Sequence, residues 1–107
     1  MSWRVELLDH RVVKELDALA SDVRQRFLRI SELIEQHGTA AMHETYVKHL
    51  ECKLWEMRMK GRDGIARAIY ITAKGERVVV LHAFVKKTQK TPQRALEIAR
   101  ERAKEVT

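Results

Sequence analysis

Cysteine and glycine are scarce in this 107-residue chain, and long apolar runs are missing. The single cysteine, Cys52, excludes an internal disulfide and fits the reducing cytoplasm. The four glycines form no Gly-rich phosphate-binding loop. No stretch reaches the roughly 18 apolar residues of a membrane span, and the charged N-terminus is unlike a secretory signal. We therefore expect one domain, residues 1–107, in the cytoplasm and away from membranes.

Positive charge is concentrated in one part of the chain. The net charge is +6, but residues 1–52 carry −2, and residues 53–94 carry +8 from 11 Lys and Arg against 3 Asp and Glu. Such a lopsided basic segment is typical of contact with a polyanion, and that contact depends strongly on salt. The simpler alternative is a solvated basic surface without a partner.

The first half of the chain changes from a period of two to a period near 3.6. Residues 3–7 alternate apolar and charged side chains, which predicts a strand with one buried face. An apolar stripe at helical spacing follows, formed by Val12, Leu16, Leu19, Val23, Phe27, Ile30 and Ile34. Ser21 is able to cap a second helix, so the stripe fits either a helical hairpin or one long helix. Gly38 is the expected stop.

The second half has the pattern of a β-meander. Residues 39–52 show no clear period and are expected to form a loop. Three apolar segments, 54–59, 65–72 and 77–85, follow with short Gly-containing turns between them. The third is the most apolar, which predicts a central position in the sheet.

A last helix over about 92–106 is predicted by Thr91 as N-cap and Pro92 at the first helical position. The element order predicts an α+β fold with an N-terminal strand, a helical hairpin or long helix, and then a curved, mainly antiparallel sheet and a C-terminal helix. We expect the helices to pack on one face of the sheet.

Two arginines are candidates for a phosphate clamp. Alternation along the first meander strand assigns one of its faces to the core, the side of Trp55, Met57 and Met59. Glu56 and Arg58 then lie on the opposite face. On the next strand Arg67 shares a face with three isoleucines, and period alone does not say whether that face is buried. If it is open, Arg67 lies beside Arg58, and guanidinium groups match phosphate oxygens well. The alternative is that Glu56 pairs with either arginine as part of the structure.

The densest polar segment joins the last strand to the last helix. Lys86, Lys87, Thr88, Gln89 and Lys90 offer donors for phosphate, ribose and base edges. Just before them, Phe84 is a candidate for base stacking, or else an ordinary core residue.

Among the five histidines, His82 is the one placed to carry a proton, because it shares a strand face with Phe84 beside the basic segment. The alternative is a structural histidine. The other four, His10, His37, His43 and His49, lack metal-ligand spacing. We therefore expect neither a metal nor another cofactor.

Two segments together resemble the phage-derived Gp49-like branch of the HigB/RelE toxins. They are the Lys-Leu-Trp-Glu-Met-Arg strand that begins at Lys53 and the Phe-Val-Lys-Lys-Thr-Gln-Lys-Thr-Pro segment that begins at Phe84. The resemblance extends more loosely over the helical N-terminal half. It implies a RelE-like fold and the toxin of a type II toxin–antitoxin system, a metal-independent endoribonuclease that cuts mRNA in the ribosomal A site. It also implies neutralisation by a HigA-like helix-turn-helix antitoxin.

The resemblance implies site residues as well. Arg67 would be the main phosphate-stabilising residue and Arg58 a second contact, while Lys87, with Lys86 beside it, stands where related toxins have a basic catalytic residue. The chain lacks the tyrosine that RelE has near its C-terminus, which leaves His82 as the candidate for proton transfer. The expected RNA-binding residues are Lys53, Lys60, Arg62, Phe84, Thr88, Gln89 and Lys90.

The implied reaction is attack of a ribose 2′-OH on the adjacent phosphate, which leaves a 2′,3′-cyclic phosphate. It needs a proton acceptor, a proton donor for the leaving 5′-oxygen, and cations for the charge of the transition state. The alternative from another class is a non-catalytic RNA- or ribosome-binding module that uses the same basic face.

Overall fold

A computed structural model describes residues 3–39, 47–86 and 90–107 of the chain. Its elements in chain order are β1 (Arg4–Leu7), α1 (His10–Asp17), α2 (Ser21–His37), β2 (Val47–Glu51), β3 (Leu54–Gly61), β4 (Gly64–Ala73), β5 (Arg77–Lys86) and α3 (Gln93–Ala103). None of the described helices is long and apolar enough to cross a membrane.

The five strands form one sheet in the order β1-β5-β4-β3-β2. The meander β2 to β5 is antiparallel throughout, and β1 pairs parallel to β5. This confirms the predicted α+β fold with a mainly antiparallel sheet. Strand β4 lies in the middle, and β5 is also interior, between β1 and β4.

The helices cover both faces of the sheet, so the prediction of helices on one face is wrong. The whole apolar stripe of α1 and α2 is buried against one face, together with Met57, Met59 and Tyr70. On the other face, Ala95 and Ala99 of α3 pack with a second cluster that includes Ile69 and Leu81. The apolar runs of β4 and β5 were the available signal, because a strand buried on both faces does not alternate.

The stripe forms two helices, α1 and α2, as in the predicted hairpin, but Ser21 is not the N-cap of the second helix. Ser21 is the first residue of α2, and Ala20 takes the cap position without a side-chain hydrogen bond. The apolar stripe continues across the break because Leu19, between the helices, is buried as well. Gly38 ends α2 as predicted, with φ of 79° and its N–H bonded to the Ile34 carbonyl.

Three further local predictions are corrected by the structure. Residues 47–51, predicted as loop, form the edge strand β2, in which only Val47 is buried, so no period-two pattern marks the strand. Trp55, predicted in the core, is 38% exposed and packs edge-on to the His49 ring, with centroids 5.0 Å apart. Thr91 does not cap α3, since Pro92 occupies the cap position.

Gly61 lets the β3–β4 hairpin approach the start of α2. A Cβ atom at this position would lie 2.6 Å from Val23 Cγ2 and 2.9 Å from Asp22 Oδ2. We expect Gly61→Ala to lower the free energy of unfolding by about 1–3 kcal/mol, the usual cost of overpacking. Gly64 ends the same two-residue turn and has nothing within 4 Å of such a Cβ. Urea unfolding should therefore find Gly64→Ala close to the wild type, and equal losses in the two variants would contradict the close approach.

Candidate nucleic-acid interface

Three candidate side chains form one row across the α3 side of the sheet. Arg58 of β3 pairs in register with Arg67 of β4, and Arg67 pairs with Phe84 of β5. Residues directly opposite on neighbouring strands point to the same face. The strand register thus brings Arg58 and Arg67 together, as the sequence predicted, with Phe84 next to them.

Arg67 is held by a buried ion pair. Its Nη1 donates to Oε1 of Glu56, and the exposed fractions are 3% for Arg67 and 0% for Glu56. The second carboxylate oxygen, Oε2, accepts a 2.8 Å hydrogen bond from the Thr91 hydroxyl just before α3. Burial lowers the pKa of the Arg67 guanidinium, which still remains a cation at neutral pH. The alternative expected from the sequence, a structural ion pair between Glu56 and one of the arginines, is therefore present.

The cluster of Arg58, Arg67 and Glu56 has one carboxylate for two guanidinium groups. Arg58 is half-buried and forms no ion pair within the described residues. The Nε atoms of both arginines are buried without a hydrogen-bond partner among the described residues. Two like charges directly opposite on neighbouring strands repel each other. An anion placed between them would relieve that repulsion and meet the fork-shaped donors of Arg58.

His82 lies on the same face, stacked on Phe84 with ring centroids 5.2 Å apart. Its Nδ1 is 3.0 Å from Glu15 Oε1, although it makes no aligned hydrogen bond within the described residues. Glu15 also accepts from the Ala83 N–H and from Arg102 of α3. The ring is thus fixed between a phenyl face and a carboxylate.

The comparisons with known proteins agree with this fold. The profile of the family described as "Phage derived protein Gp49-like" matches residues 14–104, which is most of the chain. The protein belongs to this family. Among solved structures, it is similar to a chain in the crystal structure of the archaeal RelE–RelB complex from Pyrococcus horikoshii OT3. The TM-score is 0.62 at 25% identity, over 79% of this chain and 96% of that chain.

The Gp49-like protein is therefore a member of the RelE toxin superfamily, and the resemblance seen in its sequence is confirmed. Among curated proteins, none matches the sequence.

The other predicted residues of this Gp49-like protein are spread along the sheet or lie outside the described part. Lys60 is exposed on β3, two residues beyond Arg58 and on the same face, and Arg62 is exposed in the β3–β4 turn. Lys53 is exposed between β2 and β3, and Lys90 is exposed before α3. Lys87, Thr88 and Gln89 lie outside the described residues, as does the side chain of Lys86 at the end of β5.

Sequence reasoning missed Glu15 and Arg102 as neighbours of His82. Strand β1 pairs with β5 only as far as Val80, which leaves the next part of that edge open. Arg102 donates a hydrogen bond to the Leu81 carbonyl and forms an ion pair with Glu15. The Glu15 carboxylate in turn accepts a hydrogen bond from the Ala83 N–H. This ion pair covers the open edge and joins α1 to α3. No local pattern could reveal it, because the two residues are 87 positions apart.

Within the described residues, no three His, Cys, Asp or Glu side chains gather in a way that could hold a metal ion.

The environment of His82 makes folding sensitive to mild acid. Burial lowers the pKa of His82 below its usual 6.5; the Glu15 carboxylate raises it less, and Arg102 and Arg94 lower it further. In the unfolded chain His82 therefore binds a proton near pH 6.5, whereas in the folded chain it stays neutral to lower pH. The folded state keeps its full stability above pH 6.5 and loses stability below it. We expect the free energy of unfolding to drop between about pH 7.5 and 5.5, and to drop less in His82→Asn.

Denaturant unfolding at the two pH values measures this, and an NMR titration locates the pKa directly. A His82 that titrates above 6.5 would show that Glu15 outweighs burial, and would contradict the expectation.

Proposed function

We propose that this Gp49-like protein is the toxin of a type II toxin–antitoxin system and cuts mRNA on the ribosome. The observation that carries the proposal is the pair of arginines on β3 and β4, for which Glu56 is the one counter-charge among the described residues. Such a pair in the sheet of a RelE-superfamily protein is suited to bind an anion, which supports the proposal. RNA offers such a site a phosphate in every nucleotide.

The proposed cleavage needs no cofactor. The 2′-OH of one nucleotide attacks the adjacent phosphorus, the O2′–P bond forms and the P–O5′ bond breaks. The 2′-OH gives its proton to a base, and the leaving 5′-oxygen takes up a proton, so the products are a 2′,3′-cyclic phosphate and a 5′-hydroxyl. Cations that are already in place where the extra negative charge develops lower the barrier most.

Arg58 and Arg67 differ in burial, and we therefore assign them different roles in the reaction. Arg58 is the more accessible of the pair, so we assign it the direct contact with the scissile phosphate, and Arg67 adds a fixed charge from beneath. Sequence reasoning had given Arg67 the first place. Glu56 holds the Arg67 guanidinium in one orientation, which preorganises the site.

Proton transfer is assigned to His82, and Lys86 and Lys87 are assigned to stabilise negative charge in the transition state. Because burial lowers the pKa of His82, its ring is neutral at physiological pH, which is the form that accepts a proton. Phe84 extends the site as a stacking surface, and Lys53, Lys60, Arg62, Thr88, Gln89 and Lys90 are assigned to the RNA backbone.

We also propose a HigA-like helix-turn-helix antitoxin as the partner. The similar solved chain comes from a RelE–RelB complex, and residues 53–94 carry a net +8. A partner that neutralises this segment needs an acidic surface. Co-expression with the small protein encoded next to this one tests the assignment through formation of a stable complex in gel filtration.

Induction of the protein alone tests the activity. We expect growth arrest together with new 5′ ends within translated mRNAs, mapped by primer extension. The burial of Arg67 also favours a second candidate, a ribosome-binding protein that blocks translation without cutting RNA. Growth arrest without new mRNA ends would select that candidate and reject the endonuclease.

A further inference from the structure

A second group of basic side chains lines a cleft of about 500 Å³ between α2 and the β3–β4 turn. Arg26 and Arg29 come from α2, and Lys60 and Arg62 come from the hairpin. The two α2 arginines lie outside the basic 53–94 segment, so the charge distribution along the sequence gave no sign of them.

The walls of this cleft are fixed to each other. Asp22, at the start of α2, accepts the Arg62 N–H at 2.6 Å and the Val23 N–H at 2.9 Å. The absence of a side chain at Gly61 lets the hairpin tip rest on the same turn of α2. The basic side chains are therefore presented by a rigid frame instead of a free loop.

The cleft has a large excess of positive charge. The one acidic residue among its described lining residues, Asp22, accepts backbone N–H groups, and the bond from Arg62 holds the pKa of that carboxyl below its usual value. In the described ranges, Arg26, Lys60 and Arg62 take part in no ion pair. Arg29 reaches only Glu32, in an exposed pair at 3.4 Å, which contributes little to stability.

The cleft lies on the α2 side of the sheet, opposite the face that carries the arginine pair. Lys60 follows Arg58 by two residues on the same face of β3, a rise of about 6.6 Å, and Lys60 itself lines the cleft. Lys60, next to the hairpin turn, is therefore the residue by which the cleft adjoins the face of the arginine pair.

We propose that this cleft is a second RNA-backbone site, which binds phosphates away from the scissile one and contributes affinity instead of rate. The proposal rests on the function proposed above. The ligand is RNA phosphate, and its two sources, the mRNA strand and the RNA of the ribosome, are separated by the experiment.

The test is the double variant Arg26→Gln, Arg29→Gln, with binding and cleavage measured separately. At about 0.1 M salt each lost phosphate contact costs roughly 5-fold in affinity, so Kd should rise about 25-fold. The slope of log K against log salt should become shallower by about 1.4. Binding is measured on ribosomes programmed with a 2′-O-methylated mRNA, which cannot be cut, and on the same RNA free in solution. The cleavage rate at saturating protein should stay unchanged.

The matched control is Lys14→Gln, Lys104→Gln. It also removes two exposed positive charges and one i,i+3 surface pair, Lys104 with Glu101 at 3.3 Å, which parallels Arg29 with Glu32. Lys14 lies on α1, which packs over β5 and β1, and Lys104 follows α3, so neither borders the cleft.

The outcomes are distinct. Weaker binding to both RNA forms assigns the cleft to the mRNA strand, and weaker binding to ribosomes alone assigns it to ribosomal RNA. Equal Kd values for the double variant and the control overturn the proposal. So does a double variant that binds RNA normally but loses its complex with an acidic antitoxin. A wild-type protein that binds RNA but never cuts it would overturn the endonuclease assignment alone. The cleft site would still be tested by the Kd of the double variant against that of the control.

Discussion

Replacing Glu56 by alanine is expected to lower the free energy of unfolding by about 3–5 kcal/mol. Glu56 is 0% exposed, and its removal leaves the 3% exposed Arg67 guanidinium buried without its counter-charge and Thr91 without its acceptor. An uncompensated buried charge is far more costly than a lost surface pair. Chemical denaturation followed by circular dichroism measures the loss.

Glu51 provides the matched control, because it makes the same kind of pair at the surface. Its carboxylate accepts two bonds from Arg100, at 2.8 and 2.7 Å, and the two side chains are 35% and 42% exposed. Glu51→Ala should cost only about 0–1 kcal/mol. Similar losses for Glu51→Ala and Glu56→Ala would mean that water reaches the Arg67 pair in solution.

Replacing Arg58 by alanine is expected to separate stability from activity. Its guanidinium has no carboxylate partner within the described residues and faces the Arg67 cation across the strands. Removing it relieves like-charge repulsion, so the free energy of unfolding should stay within about 1 kcal/mol of the wild type or rise. The cleavage rate should fall by about 10²–10³, the usual loss when one donor to a transition-state oxyanion is removed.

Single-turnover cleavage of ribosome-bound mRNA, measured beside a melting curve of the same variant, tests this pair of effects. Arg58→Lys should restore only part of the rate, because an ammonium group cannot make the two-pronged contact. Arg67→Ala should lose both rate and stability, since it leaves Glu56 buried and unpaired. The control is Arg4→Ala, which removes an exposed arginine from the edge strand β1, away from β3 and β4. An Arg58→Ala protein that cuts at the wild-type rate would remove Arg58 from the mechanism.

Periodicity in the sequence by itself determined most of the elements of this protein. The helical stripe from Val12 to Ile34 is buried along its whole length, because positions three and four apart share one helix face. The alternation of Met57 and Met59 against Glu56 and Arg58 assigned the faces of β3 correctly, whereas for β4 the period left the buried face undecided. The two specific segments identified the superfamily before the fold was known.

What surrounds the candidate site was decided only by the tertiary structure. Period two defines two faces of a strand but does not say which face another element covers, and α3 covers the face that sequence reasoning had left open. Three features join residues far apart in the chain. They are the hydrogen bond from Thr91 to Glu56, the Glu15–Arg102 ion pair beside His82, and the cleft between α2 and the β3–β4 turn. Such contacts leave no local trace, because burial and pairing are properties of the packed chain and not of any segment.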